Sequence, residues 1–369
     1  MNPTRILFIL KRRDGYGENS GCSGSYSVSS FSSGLANSVN FLVQMLNSAG
    51  LLARSVEVTD NNDIDREVTN FKPTHVVIEA LWVVPEKFEV LSRLHPNVSW
   101  IVRLHSEIPF LANEGVAVDW IKRYVDFGNE SGKLVVAANS PRALRDVQEI
   151  IKAQYDTTDK DGPKWLNSIV VYLPNWYPAN DSVTPAPTRD GKILNIASFG
   201  AIRPFNNQLM QAIAAIRFAD SQNKTLNFHI NYTRQEQGGG NNFKNLEALF
   251  HDTPHQLLEH AWLSHTDFIE YLKTGIDIGM QVSFTETFSI VAADMVNAGL
   301  PVVVSSEIPW SFFLSYAEPT DSNDIFTTLM RVTSWPFRSF SIKQNLRGLK
   351  TYSKKAAAIW LAYFGNPKV

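Results

Sequence analysis

The chain contains a single cysteine, Cys22, among 369 residues, so no internal disulfide framework can hold it and a packed core must. It has no basic excess either: 34 Lys and Arg stand against 36 Asp and Glu, a net charge of −2. That balance provides no global field to attract nucleic acid or an anionic membrane. Long apolar runs are missing too, and nothing approaches the roughly 18 residues of a membrane span. The first apolar stretch, Ile6-Leu7-Phe8-Ile9-Leu10, is too short for a cleavable leader and runs into Lys11-Arg12-Arg13. No Gly-x-Gly-x-x-Gly follows it, which argues against a dinucleotide site. The expectation is a soluble, cytoplasmic protein without integral membrane contact.

What the chain does have is hydrophobic residues, 44% of the total, enough for two ordinary α/β domains. Short apolar runs at Arg5–Leu10, Ala53–Val58, Thr74–Ala80, Val98–Leu104 and Leu134–Ala138 read as strands between helical or polar segments. Leu35, Val39, Leu42, Val43 and Leu46 recur at helical spacing up to a Gly50 stop, after a Gly/Ser-rich loop from Asp14 to Ser33. A Pro-rich stretch from Leu173 to Arg189 reads as a linker. A second strand–helix cycle follows: Lys192–Ser198, Gln208–Phe218, Leu226–Tyr232, Leu246–Phe250, Asp267–Leu272, Asp277–Val282 and Pro301–Ser305, before a helical segment at Ile342–Phe364. Alternation of this kind predicts parallel sheets covered by helices on both faces.

One segment stands out. Glu286-Thr287-Phe288-Ser289 leads into Ile290-Val291-Ala292-Ala293-Asp294, then Asn297-Ala298-Gly299-Leu300-Pro301-Val302-Val303. If a helix starts at Glu286, the two carboxylates are about 80° apart around its axis and roughly 12 Å apart along it. The first-turn amides of Thr287, Phe288 and Ser289 then face a phosphate, with one carboxylate toward each end of the ligand. The plain alternative is an ordinary strand–helix–strand unit with Asp294 in solvent.

This run resembles the signature of the largest family of retaining GT-B glycosyltransferases (the family-4 type), Glu-x7-Glu followed by Ala-x-Gly-x-Pro-Val-Val. Asp294 stands where Glu is usual and Ser289 where Gly is usual. The resemblance implies an α/β, GT-B fold: two Rossmann-like domains facing each other across a cleft. Residues 1–180 would form the acceptor domain and 190–340 the nucleotide-sugar donor domain, with a helix over about 342–369 crossing back onto the first.

The resemblance also implies a set of roles. Glu286 orients the donor sugar, Asp294 the ribose, and His105, closing a strand, contacts the sugar. Gly200-Ala201-Ile202-Arg203-Pro204-Phe205-Asn206-Asn207 is similar to the diphosphate loop, with Arg203 as its cation and Asn206 where lysine is usual. A bidentate guanidinium suits that task. Ser33-Gly34 occupies the place of the family's Gly-Gly, beside Lys11, Arg12 and Arg13, which either form a solvated charge run or meet an anionic acceptor. Tyr232 and Trp262 are candidates for stacking on a nucleobase or for core packing.

The implied chemistry is transfer with retention from a nucleotide-sugar, UDP favoured, to a hydroxyl acceptor. It needs no metal or other cofactor, and the leaving phosphate takes the acceptor's proton. The acceptor stays open among a glycan, a small molecule and modified DNA. A phage-type enzyme acting on a hydroxymethylated base, in a host cytoplasm, is one alternative, and an inactive GT-B-shaped binding protein is another. Asp63-Ile64-Asp65 reads as a helix N-terminal cluster. His251, His255, His260 and His265 lack the Cys or carboxylate frame of a zinc site.

Overall fold

A computed structural model describes residues 4–12, 34–155, 163–186 and 191–365. The chain divides into two compact units: residues 1–14, 35–176 and 354–369 in one, 15–34 and 177–353 in the other. In the first unit the order is β1 (Arg5–Lys11), α1 (Gly34–Ser48), β2 (Leu52–Val58), α2 (Asp63–Phe71), β3 (His75–Glu79), α3 (Glu86–Leu94), β4 (Ser99–Leu104), α4 (Ile108–Leu111), α5 (Ala117–Ser131), β5 (Leu134–Ala138), α6 (Pro141–Lys152), α7 (Leu166–Ile169) and β6 (Val170–Tyr172). The second unit holds β7 (Ile193–Ala197), α8 (Gln208–Ser221), β8 (Thr225–Asn231), α9 (Gly239–Phe250), β9 (Gln256–His260), α10 (His265–Gly275), β10 (Ile278–Gln281), α11 (Ile290–Asn297), β11 (Val302–Val304) and α12 (Ser322–Thr333). The last helix, α13 (Phe337–Tyr363), begins in the second unit and counts with the first from Lys354 onward.

Both sheets are wholly parallel, in the orders β2-β1-β3-β4-β5-β6 and β11-β10-β7-β8-β9. Strand alternation in β1 shows why its run is apolar throughout. Ile6, Phe8 and Leu10 pack with Val39 and Leu42 of α1 and Trp360 of α13, while Leu7 and Ile9 join Ile64, Phe88 and Ile121 on the opposite face. Trp360 Nε1 also donates to Pro174 O at 2.7 Å. The second unit buries Ile196, Phe228, Ile230, Met280 and Val303 against α8 and α12.

The stretch after Trp176 lies against the second unit. Ala186 N donates to Gly299 O at 2.9 Å and Asn180 N to Asn297 Oδ1 at 2.8 Å. Gly299 has φ +84°, and a Cβ on it would stand 2.4 Å from Thr184 O, so only glycine admits this crossing. Among the described residues no helix is long and apolar enough to cross a membrane.

Candidate active site

In the second sheet the chain runs from β7 outward to β8 and β9, then returns to the other side of β7 for β10 and β11. The reversal falls between β7 and β10, and at such a switch point the loops leaving the strand ends diverge and open a crevice. The loop after β7 carries Gly200, Arg203, Asn206 and Asn207, and that after β10 carries Glu286, Thr287, Phe288 and Ser289. Phe284 N donates to Phe205 O at 2.9 Å, joining the two loops. Eight candidate residues from two distant segments thus meet at one strand edge.

Glu286 is half-buried, and Ser283 Oγ donates to it at 3.4 Å. Burial pushes its carboxyl up to about 7, with Arg203 working against that and Glu307 adding to it. A carboxyl poised there is a candidate for chemistry. Arg203 has its guanidinium 2.5 Å from Glu236, a residue sequence reading passes over. Asn206 Nδ2 donates to Ala201 O, and both Nδ2 hydrogens of Asn207 go to the carbonyls of Val282 and Pro319. The Asn206 and Asn207 side-chain amides therefore brace the loop, and Gly200 at φ +109° gives it its turn.

The helix geometry expected around Glu286 needs correcting. Helix α11 starts at Ile290, with Ser289 as its N-cap, so residues 286–288 precede it and the 100°-per-residue separation does not apply to them. The first-turn amides belong to residues 290–292, and Ala292 N already donates to Ser289 Oγ. Ser289 has φ 57°, which explains why glycine suits this position better: serine holds the turn at a cost of order 1 kcal/mol. Phe288 is a core residue packed on Tyr177, Trp310 and Tyr352, and its carbonyl accepts from Trp310 Nε1 at 2.7 Å.

Asp294 is buried rather than solvated. Its Oδ1 accepts from Tyr177 Oη and pairs with His265 Nε2, both at 2.8 Å. Burial raises the Asp294 carboxyl, and the bond to Asp294 raises the His265 imidazole. The stabilising effect of His265 is therefore complete below its ordinary value and fades as pH rises through the elevated one. Asp294→Asn should lower the His265 titration midpoint, followed by its imidazole NMR shifts. An unmoved midpoint would contradict the pairing.

Tyr232 and Trp262 follow the carboxyl ends of β8 and β9. Tyr232 is exposed, and Arg234 lies over the Trp262 ring at 5.6 Å. His229, within β8, and His260, which ends β9, face each other at 2.9 Å with Tyr271 Oη 3.0 Å from His229. The four histidines singled out in sequence scatter: His255 bonds Leu226 N, His265 pairs with Asp294, and His251 is 2.8 Å from Asp252. Among the described residues no three His, Cys, Asp or Glu side chains gather as for a metal. Asp63 begins α2 and accepts from Thr59 N at 3.1 Å.

The remaining candidates come from β1, α1 and the end of β4, and a Cβ on Gly34 would stand 3.2 Å from Ile290 Cγ2 at the start of α11. Lys11 and Arg12 are exposed at the carboxyl edge of β1, Gly34 opens α1, and Ser33 and Arg13 lie outside the described residues. His105 follows β4, and its Nε2 bonds the buried Glu79 at the end of β3. Arg103 donates to Glu79 at 3.0 Å and to Leu173 O at 2.9 Å, and also bonds Asn175. Burial depresses the His105 imidazole, with Glu79 working in the opposite direction. Burial pushes Glu79 up, but Arg103 and His105 together outweigh it and hold it below its ordinary value.

No family model and no curated protein matches the sequence. Solved structures do match. The α,α-trehalose-phosphate synthase (UDP-forming) from Burkholderia vietnamiensis aligns with TM-score 0.64 and 11% identity over 100% of this chain and 99% of its own. A trehalose-6-phosphate structure from E. coli, bound with UDP-2-fluoro glucose, aligns with TM-score 0.65 and 10% identity over 99% of each chain. The trehalose-6-phosphate phosphatase N-terminal domain of Candida albicans gives 0.64 and 10% over 99% and 97%. At these identities the likeness shows the fold, and that fold is GT-B.

Proposed function

We propose that this chain is a retaining glycosyltransferase that moves a sugar from a nucleotide-sugar, with UDP-sugars favoured, to a hydroxyl acceptor. The observation that carries the reading is the meeting of Glu286 and Arg203 at the β7/β10 switch point, where the Glu286 carboxyl sits near neutrality. Similar solved structures include one described as UDP-forming and one bound to a UDP-sugar analogue, which supports the choice of nucleotide. The Glu-x7-Glu resemblance supports retention.

In this reading Glu286 faces the donor sugar and Arg203 the departing diphosphate. Preorganised opposite charge at a leaving group is electrostatic catalysis. The backbone of Thr287–Ser289 borders the same ligand, and Asp294 acts through His265 rather than by direct contact. Exposed Lys11 and Arg12 suit an anionic acceptor.

The test is nucleoside diphosphate release from UDP-sugars, with and without small hydroxyl acceptors, in wild type and Glu286→Ala. Release that falls at least about a hundredfold in the variant is expected, with product of the donor's anomeric configuration. Tight donor binding without turnover would instead favour a binding protein built on this fold.

A further inference from the structure

The loop after β8 holds a cluster that the site described above uses only in part. Glu236 gives one carboxylate oxygen to each of two arginines: Oε2 lies 2.5 Å from Arg203, and Oε1 2.6 Å from Arg234 Nε. Backbone bonds bring them together. Ile202 N donates to Arg234 O at 2.9 Å, and Glu236 N donates back to Ile202 O at 3.0 Å. The start of α9 crosses the same carbonyl, since a Cβ on Gly239 would stand 2.0 Å from Ile202 O. Glycine is therefore what lets the β8 loop lie on the β7 loop. The Arg234 guanidinium is further steadied over Trp262 at 5.6 Å.

We propose that Arg203 and Arg234, gathered on Glu236, form a two-guanidinium seat for the donor diphosphate. Arg234 supplies the cation that Asn206 does not. This rests on the nucleotide-sugar reading above. Asn206 cannot supply a cation, because it is neutral, and its amide donates to Ala201 O at 2.7 Å. Two guanidiniums share the one Glu236 carboxylate at a parallel strand edge. Two planar forks held in fixed register suit a ligand with two adjacent phosphates better than one arginine does. Glu236 is the positioning residue: it keeps two like charges side by side until the phosphates arrive.

Calorimetric titration of the full chain with UDP, GDP and ADP, and with the matching free nucleosides, tests this in wild type, Arg234→Gln and Arg234→Lys. For the diphosphate that binds, Arg234→Gln should weaken affinity about tenfold to a hundredfold, leave the nucleoside's affinity unchanged and flatten the salt dependence. Arg234→Lys, which keeps the charge without the fork, should recover part of the loss. Diphosphate affinity within twofold of wild type in Arg234→Gln overturns the seat alone. Equal loss for diphosphate and nucleoside does the same, by pointing to a folding role. A wild-type chain that binds none of the three diphosphates overturns the nucleotide-sugar reading together with the seat.

Discussion

Glu286→Gln is expected to make the protein more stable at pH 8 while removing the sugar transfer proposed for it. The Glu286 carboxyl sits at about 7, chiefly because it is buried, whereas an exposed glutamate titrates near 4.3. Between those values the folded chain holds the proton more tightly than the unfolded one. The stability this provides is complete below the ordinary value and lost as pH rises through about 7. At pH 8 folding forces a charge into a poorly solvated place, a cost of about 2 kcal/mol after discounting for the group's partial exposure.

Glutamine carries no such penalty. Its thermal midpoint should exceed that of wild type at pH 8 by several degrees, and the gap should narrow steadily as pH falls through 5 toward 4. Under the proposed function, transfer in the same variant should fall by about a hundredfold or more, because that reading makes the carboxylate the working form opposite charge developing on the donor sugar. Stability gained where activity is lost is what a functional carboxylate predicts. Parallel stability curves for the two proteins across pH 5 to 8 would show that the carboxyl is ordinary.

The second large effect is expected at Arg103. Its side chain and that of Glu79 are both completely buried and 3.0 Å apart, at the ends of neighbouring parallel strands. Arg103 also holds Leu173 O and Asn175, and its guanidinium lies 5.3 Å over Trp360 of α13. Arg103→Met should cost about 3–5 kcal/mol, because it strips the buried Glu79 of its guanidinium partner. Adding Glu79→Gln should restore much of that loss, because the stranded charge disappears. Denaturant midpoints of the two single variants and the double one measure the coupling. A loss under 1 kcal/mol for Arg103→Met, or strictly additive losses, would mean that the pair is not what holds this strand edge.

How much of this could be read in advance depended on whether the signal was local. The strand at Leu134–Ala138 coincides with its apolar run because a strand buried on both faces has no polar positions. Strand β9, Gln256–His260, has no strand signal of its own because it is a sheet edge with only two apolar residues, neither fully buried. The three-residue β6 is too short to have a period.

The Glu286 loop was recognisable because glycine, proline and carboxylate punctuation is sequential. The helix starts four residues later than the Glu286 pattern suggests, because Ser289 takes a φ that propensity does not announce. The burial of Asp294 is not legible in sequence because its partners, Tyr177 and His265, are 117 and 29 positions away. Glu236 and Arg234 were equally invisible. Only sheet topology brings the β8 loop onto the β7 loop.

The most direct test of the account is a thermal-shift panel of UDP-, GDP-, ADP- and CMP-sugars on wild type and Glu286→Ala. A ligand present at 100 times its dissociation constant adds about 2.7 kcal/mol. The account predicts a clear shift for one nucleotide class, UDP first, which shrinks in the variant. No shift with any of the four would contradict the assignment of a nucleotide-sugar site to the β7/β10 switch point.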